Sequence, residues 1–247
     1  MDWAGCRILP GMSPSTSSSR SYLTRPITWI VVVAVILVLI AGVVIGTRIY
    51  ASSQNDAAPE AFASSTALPD AEPGSADGSW TVADGSEAGY RVDEVLNGED
   101  VTVVGRTGDV TGTVEITDSA LTEGQVLVDL STVTTDSDQR DQYFRSQAVN
   151  TSIHADATFT LDGPGDLGDL AESGSATVTV PGSLEINGTT QQVEVELHVT
   201  RTPEGTLAVS GATDLTWSDY GVEAPDLGFV SVQETGQIEY SLILTEG

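Results

Sequence analysis

His154 and His198 are the side chains best suited to acid–base work or metal ligation in this sequence, and neither has a partner at His-Glu-x-x-His spacing. They fall on different predicted elements and read as surface or turn residues. Ser and Asp are abundant enough to assemble a Ser-His-Asp set by composition alone, yet no Gly-x-Ser-x-Gly elbow presents a strained serine to a base. Asp136, Asp138 and Asp141 cluster but lack the Asp-x-Asp-x-Asp-Gly loop with its distal Glu, so they read as solvated charge, as does the loop Asp166 to Asp169. Cys6 is the single cysteine, which excludes an intrachain disulfide or thiolate metal cluster. The expectation is a protein with no catalytic residue, no metal and no cofactor.

Nine Arg, no Lys and 36 acidic residues give a net charge of −27. Nucleic-acid binding is excluded, because phosphate neutralisation needs clustered cations. The charge is unevenly spread: residues 1–48 carry Arg7, Arg20, Arg25 and Arg48 against Asp2 alone, so the excess of acid lies beyond them.

Four segments must position whatever the chain binds. Residues 1–26 form a cytoplasmic N-terminal stretch, and Ile27 to Ile45 is a charge-free apolar run of nineteen residues. As a helix at about 1.5 Å per residue, that run nearly matches the ~30 Å hydrocarbon core of a bilayer. Arg20 and Arg25 before it and Asp56 and Glu60 after it place the N-terminus inside, giving a single-pass cell-membrane protein with its C-terminal part extracytoplasmic. A cleaved signal peptide fits less well, because the leader is long and Ile49-Tyr50-Ala51 is a poor exit site. Residues 46–78, rich in Ala, Ser, Pro and acid, read as a flexible linker.

Residues 79–247 change texture to short alternating runs bounded by Gly, Asp, Asn and Pro, the pattern of antiparallel strands. In Thr189 to Arg201, Val193, Val195, Leu197 and Val199 share one face and Glu194, Glu196, His198 and Thr200 the other. Similar alternation marks Val110 to Ile116, Val126 to Leu130, Thr177 to Val180, Leu207 to Leu215 and Ile238 to Leu244, with weaker strands at Tyr90 to Leu96 and Val101 to Arg106. Asn97-Gly98 and Asn187-Gly188 predict tight hairpins, since both central residues of a type I′ turn need positive φ. Asp136 to Gln147 reads instead as a short helix, capped by Asp136, with Phe144 and Ala148 inward; Asp141 and Arg145, one turn apart, are either an ordinary surface pair or, with Arg140, charges that orient the helix at a barrel end or a ligand head group. A meander with one helical plug favours a closed barrel over a sandwich, because closure removes exposed edges.

Three stretches add a resemblance. Asp129-Leu-Ser131 with Arg140-Asp141-Gln-Tyr-Phe144-Arg145-Ser146, then Gly182-Ser-Leu184-Glu-Ile186-Asn-Gly188-Thr-Thr190, then Ser218-Asp219-Tyr220-Gly221 are similar, in order and spacing, to motifs of the YceI-like family of lipid-binding, lipocalin-like barrels. The resemblance covers residues 79–245. This chain departs from the family pattern with Ala148-Val149 in place of Phe-Phe and Trp217 in place of Arg. The resemblance implies an all-β fold, an eight-stranded antiparallel barrel with a short helix, whose apolar lumen holds a polyisoprenoid or similar amphiphile. Tyr143, Phe144, Trp217, Tyr220 and Phe229 are then the candidate lipid contacts, Trp217 forming an aromatic wall with Phe144 and Tyr220. Arg140, Asp141, Arg145 and Asp219 are family-motif residues with structural roles. The expected partners are a lipid and, through helix 27–45, the cell membrane; the competing reading is a ligand-free barrel serving as an envelope interaction module.

Overall fold

The computed structural model describes residues 26–62, 70–226, 228 and 230–247. It divides into two compact units, residues 1–46 and 47–247. Helix α1 (Pro26–Ala57) contains the apolar run and continues twelve residues beyond it. The stretch Val33–Ser53, with mean hydropathy 2.4, is long and apolar enough to cross a membrane. The helix outlasts the apolar run because nothing from Gly46 to Ala57 breaks it, whereas Pro59 disfavours helical geometry in the residue before it.

Twelve strands follow among the described residues: β1 (Gly78–Val82), β2 (Glu87–Leu96), β3 (Glu99–Thr107), β4 (Val110–Thr117), β5 (Ala120–Asp129), β6 (Asp156–Leu161), β7 (Gly165–Asp166), β8 (Ser175–Ile186), β9 (Thr189–Arg201), β10 (Leu207–Thr216), β11 (Val230–Val232) and β12 (Thr235–Glu246). Neighbours run β1, β4, β5, β6, β8, β9, β10, β12, and β12 pairs back onto β1, so the sheet closes. β2 continues the line of β1 along β12, and β3 pairs with β2 as β4 does with β1. The result is an eight-stranded antiparallel barrel in which two staves are broken. The first break, Ala83 to Ser86, is patched by the buried Ser86 hydroxyl, which donates to Ala83 O and accepts from Ile243 N.

Alternation does the folding work. Val178 faces Leu197 and Val180 faces Val195 across β8 and β9, both pairs inside, while Thr177 faces His198 outside. One end of the barrel is plugged by Trp80, Leu207 and Leu170 of α3 (Asp169–Ser173), with Trp80 Nε1 donating to Ala76 O at 2.8 Å. Asn97, Gly98, Asn187 and Gly188 all take positive φ, as the hairpin motifs predict. Asp118 and Ser119 make the same kind of turn without glycine. Strands β1 and β6 lie outside the runs predicted from alternation, and both are short and rich in Ser, Thr or Asp.

Both described ends of the expected linker are ordered against the barrel. Arg48 pairs with Glu99 at 3.0 Å, the Asn55 side chain bonds Asp100 O and Thr102 N, and Glu72 N donates to Arg201 O. On the outer wall Glu239 is fully buried, held by Arg91 at 2.6 Å and Arg106 at 3.2 Å. The two arginines also donate to Pro59 O and Glu60 O, and Phe62 stacks beneath Arg106. Residues 59–62 therefore roof an ion triad.

Candidate ligand cavity

The barrel encloses a cavity of about 560 Å³, lined by all eight staves. Its wall is almost wholly apolar, with Val126, Val128, Phe159, Val195, Leu197, Val199 and Leu242 among its residues. An eight-stranded barrel can be filled by its own side chains, so the void needs a cause. The cause is a set of inward glycines. Atoms of the Tyr90 ring occupy the space a Cβ on Gly105 would take, and Phe159 does the same over Gly182, Tyr240 over Gly211 and Trp217 over Gly236. Each large ring thus lies flat against a neighbouring strand instead of standing across the lumen. Tyr240 is fixed there by donating its hydroxyl to Glu196 O at 2.6 Å.

At the unplugged end the chain leaves β5 through Leu130–Thr132 and enters α2 (Asp138–Tyr143), which passes into a wider π turn, Phe144–Ala148. Phe144 and Ala148 face the cavity, as the helical spacing predicts. Phe144 stacks on Tyr90 with centroids 5.3 Å apart, and Tyr90 meets Trp217 edge-on at 6.2 Å, forming an aromatic girdle just inside the mouth. Burial, with the nearby Asp141 carboxylate, raises the Tyr90 phenol above its ordinary pKa, and burial does the same to Tyr240. Both stay protonated at neutral pH.

The mouth itself is polar. Arg140 donates to the buried Glu94 at 2.6 Å and to Asp136 at 2.9 Å, and Glu94, Gln139, Arg140, Tyr143 and Glu223 all border the opening. Burial opposes the Arg140 charge, but the hydrogen bond and charge of Glu94 outweigh it and hold the guanidinium above its ordinary pKa.

Several sequence expectations change. The helix begins one residue later than a cap at Asp136 implies, because Asp136 pairs with Arg140 and Ser137 takes the cap position. Asp141 and Arg145 do not form a surface pair. Asp141 is buried and accepts from Thr135 N and Oγ1 at 2.8 and 2.7 Å, while Arg145 donates to Val133 O. Asp141 thereby ties the helix to the strand exit. Replacing it with Ala is expected to cost about 2 to 3 kcal/mol, as two bonds to a charged acceptor are lost in a buried site; chemical denaturation measures this.

Tyr143, Phe144 and Trp217 line the cavity, with Tyr143 half-open to solvent at the rim. Tyr220 does not line it. The strand ends at Thr216 and continues as a 3-10 turn, Trp217–Tyr220, so alternation no longer applies and Tyr220 packs into the core beside Leu215 and Val222. Asp219, on the same turn, is exposed, and its carbonyl accepts from Gln191. Phe229 lies outside the described residues. Tyr90, Tyr240 and Glu94 were not singled out from sequence, although Tyr90 and Tyr240 alternate in phase with Val92 and Leu242.

A closed antiparallel barrel around an apolar cavity, with one helical turn at its mouth, defines a lipocalin-like binding fold. The family model described as the YceI-like domain matches residues 80–244, and the chain belongs to the YceI-like family. A curated relative, the UPF0312 protein of Shewanella denitrificans, is 28% identical over 134 residues, which is 51% of this chain and 66% of the relative, just under two thirds of its length. Among solved structures, a polyisoprenoid binding domain from Saccharophagus degradans superposes with TM-score 0.55 at 20% identity, covering 68% of this chain and 98% of that one. BcnA of Burkholderia cenocepacia gives TM-score 0.49 at 17% identity over 63% of this chain and 96% of its own.

Proposed function

We propose that this chain is a membrane-anchored lipid-binding protein that holds a polyisoprenoid or similar amphiphile in its barrel and performs no catalysis. The observation that carries this reading is the cavity of about 560 Å³ walled by apolar side chains. At about 30 Å³ per water-sized group it accommodates on the order of twenty non-hydrogen atoms. Transferring a hydrocarbon tail from water into such a wall gains about 0.8 kcal/mol per CH₂. The Saccharophagus degradans neighbour, described as polyisoprenoid binding, supports the same ligand class. The apolar part of α1, residues 27–45, serves as the anchor, with Arg20 and Arg25 on its cytoplasmic side and residues 46–78 joining it to the domain 79–247 outside.

The full chain, solubilised from membranes in non-ionic detergent and analysed by native mass spectrometry and organic extraction, is expected to carry an isoprenoid or long-chain amphiphile. A lumen that is empty after mild solubilisation, and that stays empty when isoprenoid is supplied, would overturn the reading. Protease added to wall-stripped cells is expected to release the domain; full protection would reverse the orientation.

A further inference from the structure

The mouth and the girdle bear on which head group the lumen admits, an inference that rests on the lipid-binding reading above. Arg140 is the one cation among the described lining residues, and it is already engaged by two carboxylates, Glu94 and Asp136. Glu223 adds another carboxylate at the rim, Asp141 is buried behind the helix, and Asp138 and Asp226 are exposed on the adjoining segments. Arg145 is the other nearby cation; it donates to Val133 O and stands outside the lining. The entrance is thus lined by more negative than positive charge, and a phosphorylated head would have to share Arg140 with Glu94 and Asp136.

Inside the entrance, the lumen-lining Trp217 Nε1 is buried and has no hydrogen-bond partner among the described residues. Thr213, also in the lining, lies within reach of the Tyr240 oxygen, to which its hydroxyl can donate because Tyr240 spends its own proton on Glu196 O, leaving the Thr213 oxygen able to accept. A buried N–H or O–H left unpaired is unfavourable, and in an apolar wall it marks a place where an incoming oxygen can be bound. Trp217 keeps its indole flat over Gly236, next to Tyr90, so its N–H lies at the girdle and not in the deep plug.

We propose that the lumen selects uncharged, oxygen-bearing isoprenoids such as alcohols or carbonyl compounds over phosphorylated ones, the acidic mouth repelling phosphate, the unpaired N–H of Trp217 binding the neutral oxygen and the Thr213 oxygen accepting from a hydroxyl. The head group then sits below the mouth and the tail fills the lumen.

The test uses the full chain, stripped of co-purified lipid in non-ionic detergent and titrated by native mass spectrometry with geranylgeraniol, geranylgeranyl diphosphate and the saturated hydrocarbon phytane. The alcohol is expected to bind at least tenfold tighter than the diphosphate, and the gap is expected to narrow when salt screens the mouth. Thr213→Val keeps the side-chain volume while removing the hydroxyl, and Trp217→Phe removes the N–H while keeping one aromatic ring. Each is expected to lower the alcohol-to-phytane affinity ratio at least threefold, the ratio cancelling any common change in the wall, and a loss in one alone assigns the oxygen to that residue. Diphosphate binding as tight as alcohol, or an unchanged ratio in both variants, overturns the proposal. If none of the three probes binds, phytane included, the lipid-binding reading itself fails. Thr213→Val is nearly isosteric, so the ratio is readable even where Trp217→Phe destabilises the girdle.

Discussion

Glu239→Ala is expected to lower the stability of the barrel by about 3 to 5 kcal/mol, the range for breaking a buried charge pair from one side. The Glu239 carboxylate is fully buried and bridges Arg91 and Arg106, so its removal leaves two guanidiniums facing each other under a roof of main-chain carbonyls. At about 2 to 4 °C per kcal/mol for a domain of this size, the melting midpoint falls on the order of 10 °C. Circular dichroism melts of the full chain in detergent measure the change. Because the triad is enclosed, added salt is expected to restore little of it, in contrast to the exposed Arg48–Glu99 pair. An unaltered midpoint would mean that the triad contributes nothing net and that residues 59–62 hold the wall unaided.

Filling the lumen is expected to have the largest effect on binding. Val126 on β5 and Leu197 on β9 are partly buried, point into the cavity and stand three staves apart around the barrel. Changing both to Trp places two large rings in the void. Lipid occupancy is expected to fall at least tenfold while stability changes by no more than about 1 to 2 kcal/mol, since the added atoms fill empty space and do not overpack a full core. Native mass spectrometry and thermal melts of the same preparation separate the two effects. Undiminished lipid would place the ligand outside the barrel.

The parts of this fold legible in sequence are those governed by short-range rules. The Asn-Gly pairs needed positive φ and took it, and Val195, Leu197 and Val199 alternate into the lumen. Phe144 and Ala148, one helical turn apart, both reach the cavity. What escaped sequence reading depends on partners far along the chain. Glu239 sits between Ile238 and Tyr240 in a strand whose alternation sends it outward, which normally means water; it is dry because residues 59–62 cover it. The lumen is open because Gly105, Gly182, Gly211 and Gly236 lie under rings brought by neighbouring strands, a relation visible only once register is known. Tyr220 was misplaced because a strand rule was extended past the point where the strand ends.

The amide of Asn55 has a wider consequence. β3 pairs with β2 along one side, while among the described residues the backbone of its other side is bridged only by Thr134, at Arg106. An unpaired margin of backbone donors and acceptors is a template for a foreign strand and a route to aggregation. By accepting from Thr102 N and donating to Asp100 O, Asn55 occupies two of those positions as a side-chain imitation of a strand. The polar end of α1, beyond the apolar run, is in this sense a guard against strand exchange between copies. A soluble fragment begun at residue 79, where the strand pattern starts, discards that guard and bares the Arg91–Arg106 wall, whereas one begun at Thr47 keeps both covered.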